Sequence, residues 1–445
     1  MGIRMGMTTH PAAHGRLNLF QRLVRQWDAI HPYNAAQAIR IQGKADVPAI
    51  RTAWHDALGS LGLGRAHVER DRFYFEHLNG QLPRDVVRHV TDQTLEAFLS
   101  RELNRRFDEH DVCPFRPFVL DDDGGNHYIG VVYHHWVADG VSIRGLLRQW
   151  FLCHRDPDRA RREPLQLARE GYWSLFGPHA GRWTLGDGVL NGLRWTSRFR
   201  RVRRMNRKDA EAMSQAVTIR RVEDGLIDCL RDVTRAAGVT LHDLILAAAA
   251  EACDKHLPLH SHGVRHDLAM GAIVDLRPQA KVDLSNTFGM FLGFTTTLCR
   301  TDDLYDWPRL LRAVATQNAQ HKRAGHSQAS VLRMAAGLVA GRVLPAERMV
   351  DFYRKRVPLA GGTSNVNLAG TWAAEYHPAP VLEYLRFSPT GPLMPLVFST
   401  TTLGRRFNLC LTRRSSVVSD ALAKRILDAV TNRLDRVASD GIALM

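Results

Sequence analysis

Apolar positions along this chain switch repeatedly between a period of about 3.6 and a period of 2, which divides it into alternating helices and strands. Leu19, Phe20, Leu23, Val24 and Trp27 recur at helical spacing, so a helix is expected over Leu17–Trp27, broken by HPYN at 31–34. Ala38 to Gln42 alternates like a strand ended by Gly43, and Asp46-Val47-Pro48 reads as a cap and an early proline opening a helix to Leu61. Phe73–Phe75 predicts a further strand, Leu95–Leu103 a helix and Phe115–Leu120 a strand carrying Pro117. The turn at 121–126 then leads into HYIGVVYHHWVADGVSIRGLL, whose apolar run Ile129–Tyr133 suits a buried strand and whose stretch Val141–Trp150 suits a helix.

The second half repeats the alternation. Leu226–Ala237 and Leu241–Lys255 are helical, the latter capped by Thr240 and apolar nearly all round, hence expected to be buried. Met270–Leu276 and Phe291–Leu298 read as strands, and a basic helical region follows to Tyr353. GGTSNVNLAG (361–370) reads as a glycine-flanked polar loop or strand end. Leu396–Thr402 and Phe407–Thr412 form a hairpin around Gly404, and Ser419–Val437 a closing helix. The expected class is mixed α/β in two lobes: residues 1–172, a basic aromatic connection at 173–209, and residues 210–445.

Composition narrows this little. A chain of 445 residues with 45% hydrophobic and 24% charged content is an ordinary globular protein long enough for two cores. Six scattered cysteines without a CxxC pair argue for a reducing compartment and against a disulfide framework or a structural zinc. The start has no apolar h-region, Gly6 departs from the myristoylation pattern, and Leu244–Ala250 is too short to span a bilayer. The expectation is a cytoplasmic protein, soluble or peripheral. The net charge of +15 changes the picture of partners more. It comes mostly from arginine, and RWTSRFRRVRRMNRK (194–208) alone carries eight Lys or Arg. That segment suits an inter-lobe linker, an anionic membrane surface or an acidic partner. Nucleic acid is set aside, because no recognisable binding module accompanies the charge.

Candidate chemistry concentrates where the opening strand should end. His134 and His135 are followed four residues later by Asp139 and a glycine bend at Gly140. An imidazole there can act as a general base near neutral pH, taking a proton from an alcohol or amine. A paired histidine is equally a common element of a hydrogen-bonded loop. Asp139 could orient His135 as in a triad, or fold back to hold the loop if an arginine meets it. There is no G-x-S-x-G nucleophile elbow; Gly325-His326-Ser327 only approximates it. A lone base suits direct transfer from an already activated acyl donor. His260, His262, His266, His321 and His326 form clusters without an acidic partner, and no metal is expected.

HHWVADG (134–140) resembles the HHxxxDG signature of the condensation-domain and acyl-thioester-dependent acyltransferase superfamily, which includes chloramphenicol acetyltransferase and the wax ester synthase/diacylglycerol acyltransferases. HPYNAAQAIRIQGKADVPAIRTAW, GVTLHDLILAAAAEAC, VDLRP (274–278) and GGTSNVNLAG are similar to further stretches of that superfamily. The resemblance implies a chloramphenicol acetyltransferase-like pseudo-dimer of two α/β lobes with a tunnel between them. It implies a free-standing acyltransferase, with His135 as the base and His134 and Gly140 shaping the loop. Asp139 would pair with Arg277, and Ser364 and Asn365 would contact substrate. No bound cofactor is implied. The donor would be a thioester of coenzyme A or of an acyl carrier protein, and the acceptor a small alcohol or amine giving an ester or amide in natural-product or lipid biosynthesis. The DFGWG motif of the plant branch is absent. The other reading is a non-catalytic relative that binds a carrier protein or a partner enzyme.

Overall fold

The computed structural model describes residues 14–75, 86–107, 113–168, 175, 197–323, 326–368, 372 and 381–442. In chain order the first half contains β1 (His14–Arg16), α1 (Leu19–Ile30), β2 (Asn34–Ile41), α2 (Val47–Leu61), β3 (Ala66–Glu69), β4 (Arg72–Phe75), β5 (Arg88–Val90), α3 (Leu95–Glu102), β6 (Phe115–Asp121), β7 (His127–His134), α4 (Gly140–Arg155) and β8 (Gln166–Leu167). The second half supplies β9 (Gln215–Val222), β10 (Leu268–Asp275), β11 (Thr287–Phe288), β12 (Leu292–Cys299), β13 (Gly361–Asn367), β14 (Val381–Phe387), β15 (Leu396–Leu403) and β16 (Arg406–Arg414), with helices between and after them.

Two sheets organise these elements. One has the strand order β14-β2-β7-β6-β5, the other β12-β10-β13-β15-β16-β9. Both are mixed: β13 runs parallel to β10 and β15, and β5 parallel to β6, while most other neighbours are antiparallel. Pro117 is accommodated in β6 because β5 pairs only with residues 118–120, so no donor is missed at the proline. On the edge strand β9, the amides of Val217 and Ile219 are satisfied by Ser100 and Glu96 of α3, at 3.0 and 2.8 Å. This blunts an edge otherwise open to pairing.

Helix α1 is fixed by a reciprocal capping box between Asn18 and Gln21. Helices α2 and α4 lock through Trp54 and Trp150, whose rings meet edge to face at 4.7 Å while the Trp150 indole donates to the Ile50 carbonyl. In the second half, helix Leu241–His256 is buried from Asp243 to Cys253 and packs against the closing helix Asp420–Asp440.

The structure settles three local points. Strand β2 starts at Asn34 and is buried along both faces, because Ala35, Ile39 and Ile41 enter one hydrophobic cluster and Ala36 and Ala38 another. Of the two readings of 361–370, loop or strand end, residues 361–367 take the strand, β13, inside the larger sheet. Their glycines serve close packing: a Cβ at Gly361 would lie 2.7 Å from Leu396, and one at Gly362 would lie 2.6 Å from the Met394 sulfur. Strand β14 has no counterpart among the elements expected from the sequence, and it crosses back to join the sheet of the first half. Most of the connecting segment 173–209 lies outside the described residues. Of the part that is described, Phe199 packs with Val202, Ala269 and Leu359. Among the described residues no single helix is long and apolar enough to cross a membrane.

Candidate active site

Strand β7 delivers the two histidines and ends on the first of them. Its final pair is Asn34 with His134, after which the Val137 amide donates to the His134 carbonyl and the chain turns. Asp139 then caps α4, accepting from the amides of Val141 and Ser142 at 3.1 and 2.9 Å. Five residues, 135–139, thus separate the strand end from the helix start, which packs the motif into one turn.

His134 has a structural setting. Its Nδ1 accepts from the Trp136 indole at 3.1 Å, which places any proton of the neutral ring on Nε2. Nε2 lies 3.2 Å from the Asp28 carboxylate, and the ring stacks on Phe107 at 5.4 Å. Asp28 also accepts from the Tyr33 amide, and its pKa ends below the ordinary value because His134 outweighs the effect of burial.

His135 is placed differently. Its ring is packed between Tyr33 and Tyr133 and is only 9% exposed. Nδ1 is shut in without an aligned hydrogen-bond partner, which leaves Nε2 as the nitrogen with access to solvent. Burial pushes the pKa down to about 4, opposed by the nearby carbonyls of His135 and Ala138 and by the charge of Asp139, and reinforced by Arg386. At neutral pH the ring is uncharged.

Asp139 faces away from that ring. Its oxygens receive both terminal nitrogens of Arg277, at 2.8 and 3.0 Å, and the Phe291 amide at 2.8 Å, in addition to the two capping amides. The terminal nitrogens of Arg277 also donate to Asp275, Ser142 Oγ and the Thr287 carbonyl, its Nε has no partner, and the guanidinium stacks over the Phe291 ring at 4.6 Å. Burial would raise the Asp139 pKa, but Arg277 and the amides hold it below the usual carboxylate range, so the pair is ionised. Of the two readings of Asp139 open in the sequence, this geometry is the loop clasp and not the triad.

The remaining candidates divide. Ser364 on β13 accepts from Arg386 Nη2 at 3.1 Å, and a Cβ on Gly140 would lie 2.6 Å from that same nitrogen. Ser364 therefore reaches the motif through Arg386. Asn365 does not: it projects from the other face of the strand, where Thr400 of β15 donates to it at 2.8 Å. Residues that the sequence reading missed complete the turn. Gln37 donates to the Gly140 carbonyl at 2.9 Å and accepts from Tyr384, and Ser142 Oγ exchanges two 2.8 Å hydrogen bonds with the backbone of Gly289. Gln37, Tyr384 and Arg386 sit on strands β2 and β14, far from the motif in sequence, and only the pairing of those strands brings them to it.

No family model matches the chain. It is 29% identical over 148 residues to a probable non-canonical nonribosomal peptide synthetase, CymA, from Salinispora arenicola (strain CNS-205), a match covering 32% of this chain and 2% of that protein. It is 22% identical over 304 residues to bacitracin synthase 2 of Bacillus licheniformis, covering 64% of this chain and 11% of that one. The chain thus spans a small part of the length of these relatives. Among solved structures, trichothecene 15-O-acetyltransferase TRI3 from Fusarium sporotrichioides matches with a TM-score of 0.67 at 13% identity, over 97% of this chain and 96% of that one. The first condensation domain of the CDA synthetase matches with a TM-score of 0.62 at 14% identity, over 97% of each chain. The fold is therefore the chloramphenicol acetyltransferase-like fold of condensation domains and acyltransferases, extending along nearly the whole chain. The chain is thus similar in sequence to small parts of two nonribosomal peptide synthetases and similar in fold to condensation domains and an acetyltransferase.

Proposed function

We propose that the protein is an acyltransferase that moves an acyl group from a thioester to an alcohol or amine, with His135 as general base. The observation that carries this reading is a neutral, nearly buried imidazole whose Nε2 alone meets solvent, on a turn clasped by an arginine from the other half of the chain. As the acceptor oxygen or nitrogen bonds to the thioester carbonyl carbon, Nε2 takes its proton and the carbonyl oxygen gains negative charge. The intermediate collapses, the C–S bond breaks, and the proton on Nε2 passes to the departing thiolate. A base with a depressed pKa is a weak one, so proton removal must accompany bond formation rather than precede it. Asp139 keeps the turn in shape through Arg277 and lends its charge to the imidazolium at a distance.

For the donor, we propose a phosphopantetheine thioester held on a carrier protein or on coenzyme A. Arg200, Arg204, Lys355 and Arg356 line a small surface cleft with Phe199, and Arg207 and Arg348 extend the basic surface beside it. Clustered cations of this kind suit phosphate or an acidic carrier surface.

The test is mass spectrometry of products after incubation with acyl donors on both carriers and a panel of alcohols and amines, for the native protein and His135→Ala. New ester or amide mass with the native protein and none with the variant is the expected result. Equal product from both discards His135 as the base, and carrier binding without product from either favours the non-catalytic reading.

A further inference from the structure

Among the described residues, Arg386 on β14 is a buried cation without a counter-ion. It is 8% exposed, and its Nη1 has no hydrogen-bond partner. Its Nη2 bonds only to the neutral hydroxyl of Ser364. Among the described residues no carboxylate forms an ion pair with it. The negative charge closest to hand, Asp139, has its oxygens occupied by Arg277 and three backbone amides. The neighbouring Tyr133 and Tyr384 do not supply a charge either, because burial pushes both phenols well up and keeps them neutral. Half-buried Arg144, on α4, adds a second positive charge close enough to oppose the first.

This arrangement is costly. A buried guanidinium with a free N–H forfeits hydration without recovering a full set of partners, and an apolar side chain of like volume would make the fold more stable. Among the described residues, the other deeply buried arginines have acceptors for their terminal nitrogens, although each leaves its Nε unpaired: Arg277 has Asp139, Arg413 has Asp420 and the Val418 carbonyl, and Arg414 has the carbonyls of Asp209, Ala210 and Gly391. Arg386 is the exception, and it lies at the motif. Its Nη2 hangs over the Cα of Gly140, where any larger residue would collide with it, and its charge is felt by the His135 ring.

From the orphaned Nη1, the Ser364 contact and the absence of a paired carboxylate among the described residues, we infer that Arg386 is a substrate-anion receptor: one of the two reactants carries a carboxylate that pairs with this guanidinium beside His135. As a statement about reactants this rests on the acyl-transfer reading; as a statement about an anion site it does not. A carboxylate would supply two acceptors to a planar fork that now has one hydrogen bond, and would neutralise a charge in a site of low dielectric.

The site is tested without turnover by thermal unfolding of the full chain in sodium formate against sodium chloride of equal ionic strength. Formate is small enough to enter wherever a substrate carboxylate enters. The native protein should gain about 2–4 °C at saturating formate, and Arg386→Met should show no gain while melting no lower than the native protein in chloride. A native protein indifferent to formate overturns the inference, as does an equal gain in both proteins. So does an Arg386→Met protein that melts several degrees lower in chloride, since that would make the arginine structural. The source of the carboxylate is read by competition with formate, using glycine against glycinamide for the acceptor and malonyl-coenzyme A against acetyl-coenzyme A for the acyl group. Competition confined to the acid member of either pair assigns the carboxylate to that reactant. Competition by neither leaves formate an adventitious ion and overturns the assignment. Loss of the acyl-transfer reading appears separately, as equal product from native and His135→Ala protein.

Discussion

At the scale of single residues, the two adjacent histidines do different work because of what surrounds each ring. His134 is pinned by Trp136, Asp28 and Phe107, whereas His135 has an enclosed Nδ1 and an accessible Nε2. His135→Ala is expected to abolish acyl transfer by at least about a hundredfold, the usual worth of a general base, with the melting temperature nearly unchanged. A mass-spectrometric rate assay beside circular dichroism checks both halves. The pH dependence follows from the pKa of about 4. Only the neutral ring can accept a proton, so kcat/KM should be flat from about pH 6 upward and fall only as pH approaches 4. A fall centred near 6.5 would place the acting base elsewhere. Stability has the same sign. The unfolded histidine binds a proton near the ordinary value of 6.5 and the folded one only near 4, so the unfolded state holds more protons in between. Stability at neutral pH is therefore lost as pH falls from 6.5 toward 4, at up to about 1.4 kcal/mol per pH unit for this one proton. His135→Phe should flatten that limb, which urea unfolding at several pH values measures.

At the scale of elements, the N-terminus of α4 is where stability and function share residues. Asp139 is at once a helix cap and the partner of a buried arginine. Asp139→Ala should lose about 3–5 kcal/mol, since it strands Arg277 in the interior, and Asp139→Asn should lose less because the cap survives. Denaturant titration of both variants separates the cap from the ion pair. Gly140 has a different requirement, because its space is taken by Arg386 and Gln37. Gly140→Ala should displace the guanidinium and lower kcat at least about tenfold while costing no more than about 3 kcal/mol, the range for overpacking. A stability loss well beyond that with normal turnover would count against this geometry.

At the scale of the whole molecule, the site belongs to neither half of the chain. The motif rises from the first half, Arg277 comes from the end of β10, and Ser364 and Arg386 come from β13 and β14. Strand β14 is further tied across by Glu383, which accepts from Tyr128 of β7 and from Arg221 of β9. Much of the arginine that gives the chain its basic balance is spent on such cross-links, including four arginines around buried Glu102. Among the described residues, what remains for partners is more local, notably the cleft of Arg200, Arg204, Lys355 and Arg356, where Lys355 is already paired with Asp351 at 2.6 Å. Reversing Arg200, Arg204 and Arg356 to Glu should raise KM for a carrier-bound donor at least about tenfold and leave free coenzyme A thioesters little affected. An equal effect on both donors would indicate a phosphate site rather than carrier docking.

The sequence by itself determined the elements and the motif. Apolar spacing set α1, α2, the β6–β7 hairpin and the β15–β16 hairpin, because each is a local pattern whose caps and turns are also local: Asn18, Asp46, Gly125 and Gly404. The same locality exposed His135 and Asp139, four residues apart at a strand-to-helix turn. Only the tertiary structure decided that Asn365 faces away from the motif, since strand alternation fixes its side and the sequence left 361–370 open between loop and strand end. It alone decided the place of β14, a short strand whose hydrophobic pattern is ordinary and whose partner β2 lies over three hundred residues away. Arg386 became visible through that pairing. A charge in a sequence carries no sign of whether it will be buried or matched, because both depend on which strands meet and what they leave uncovered.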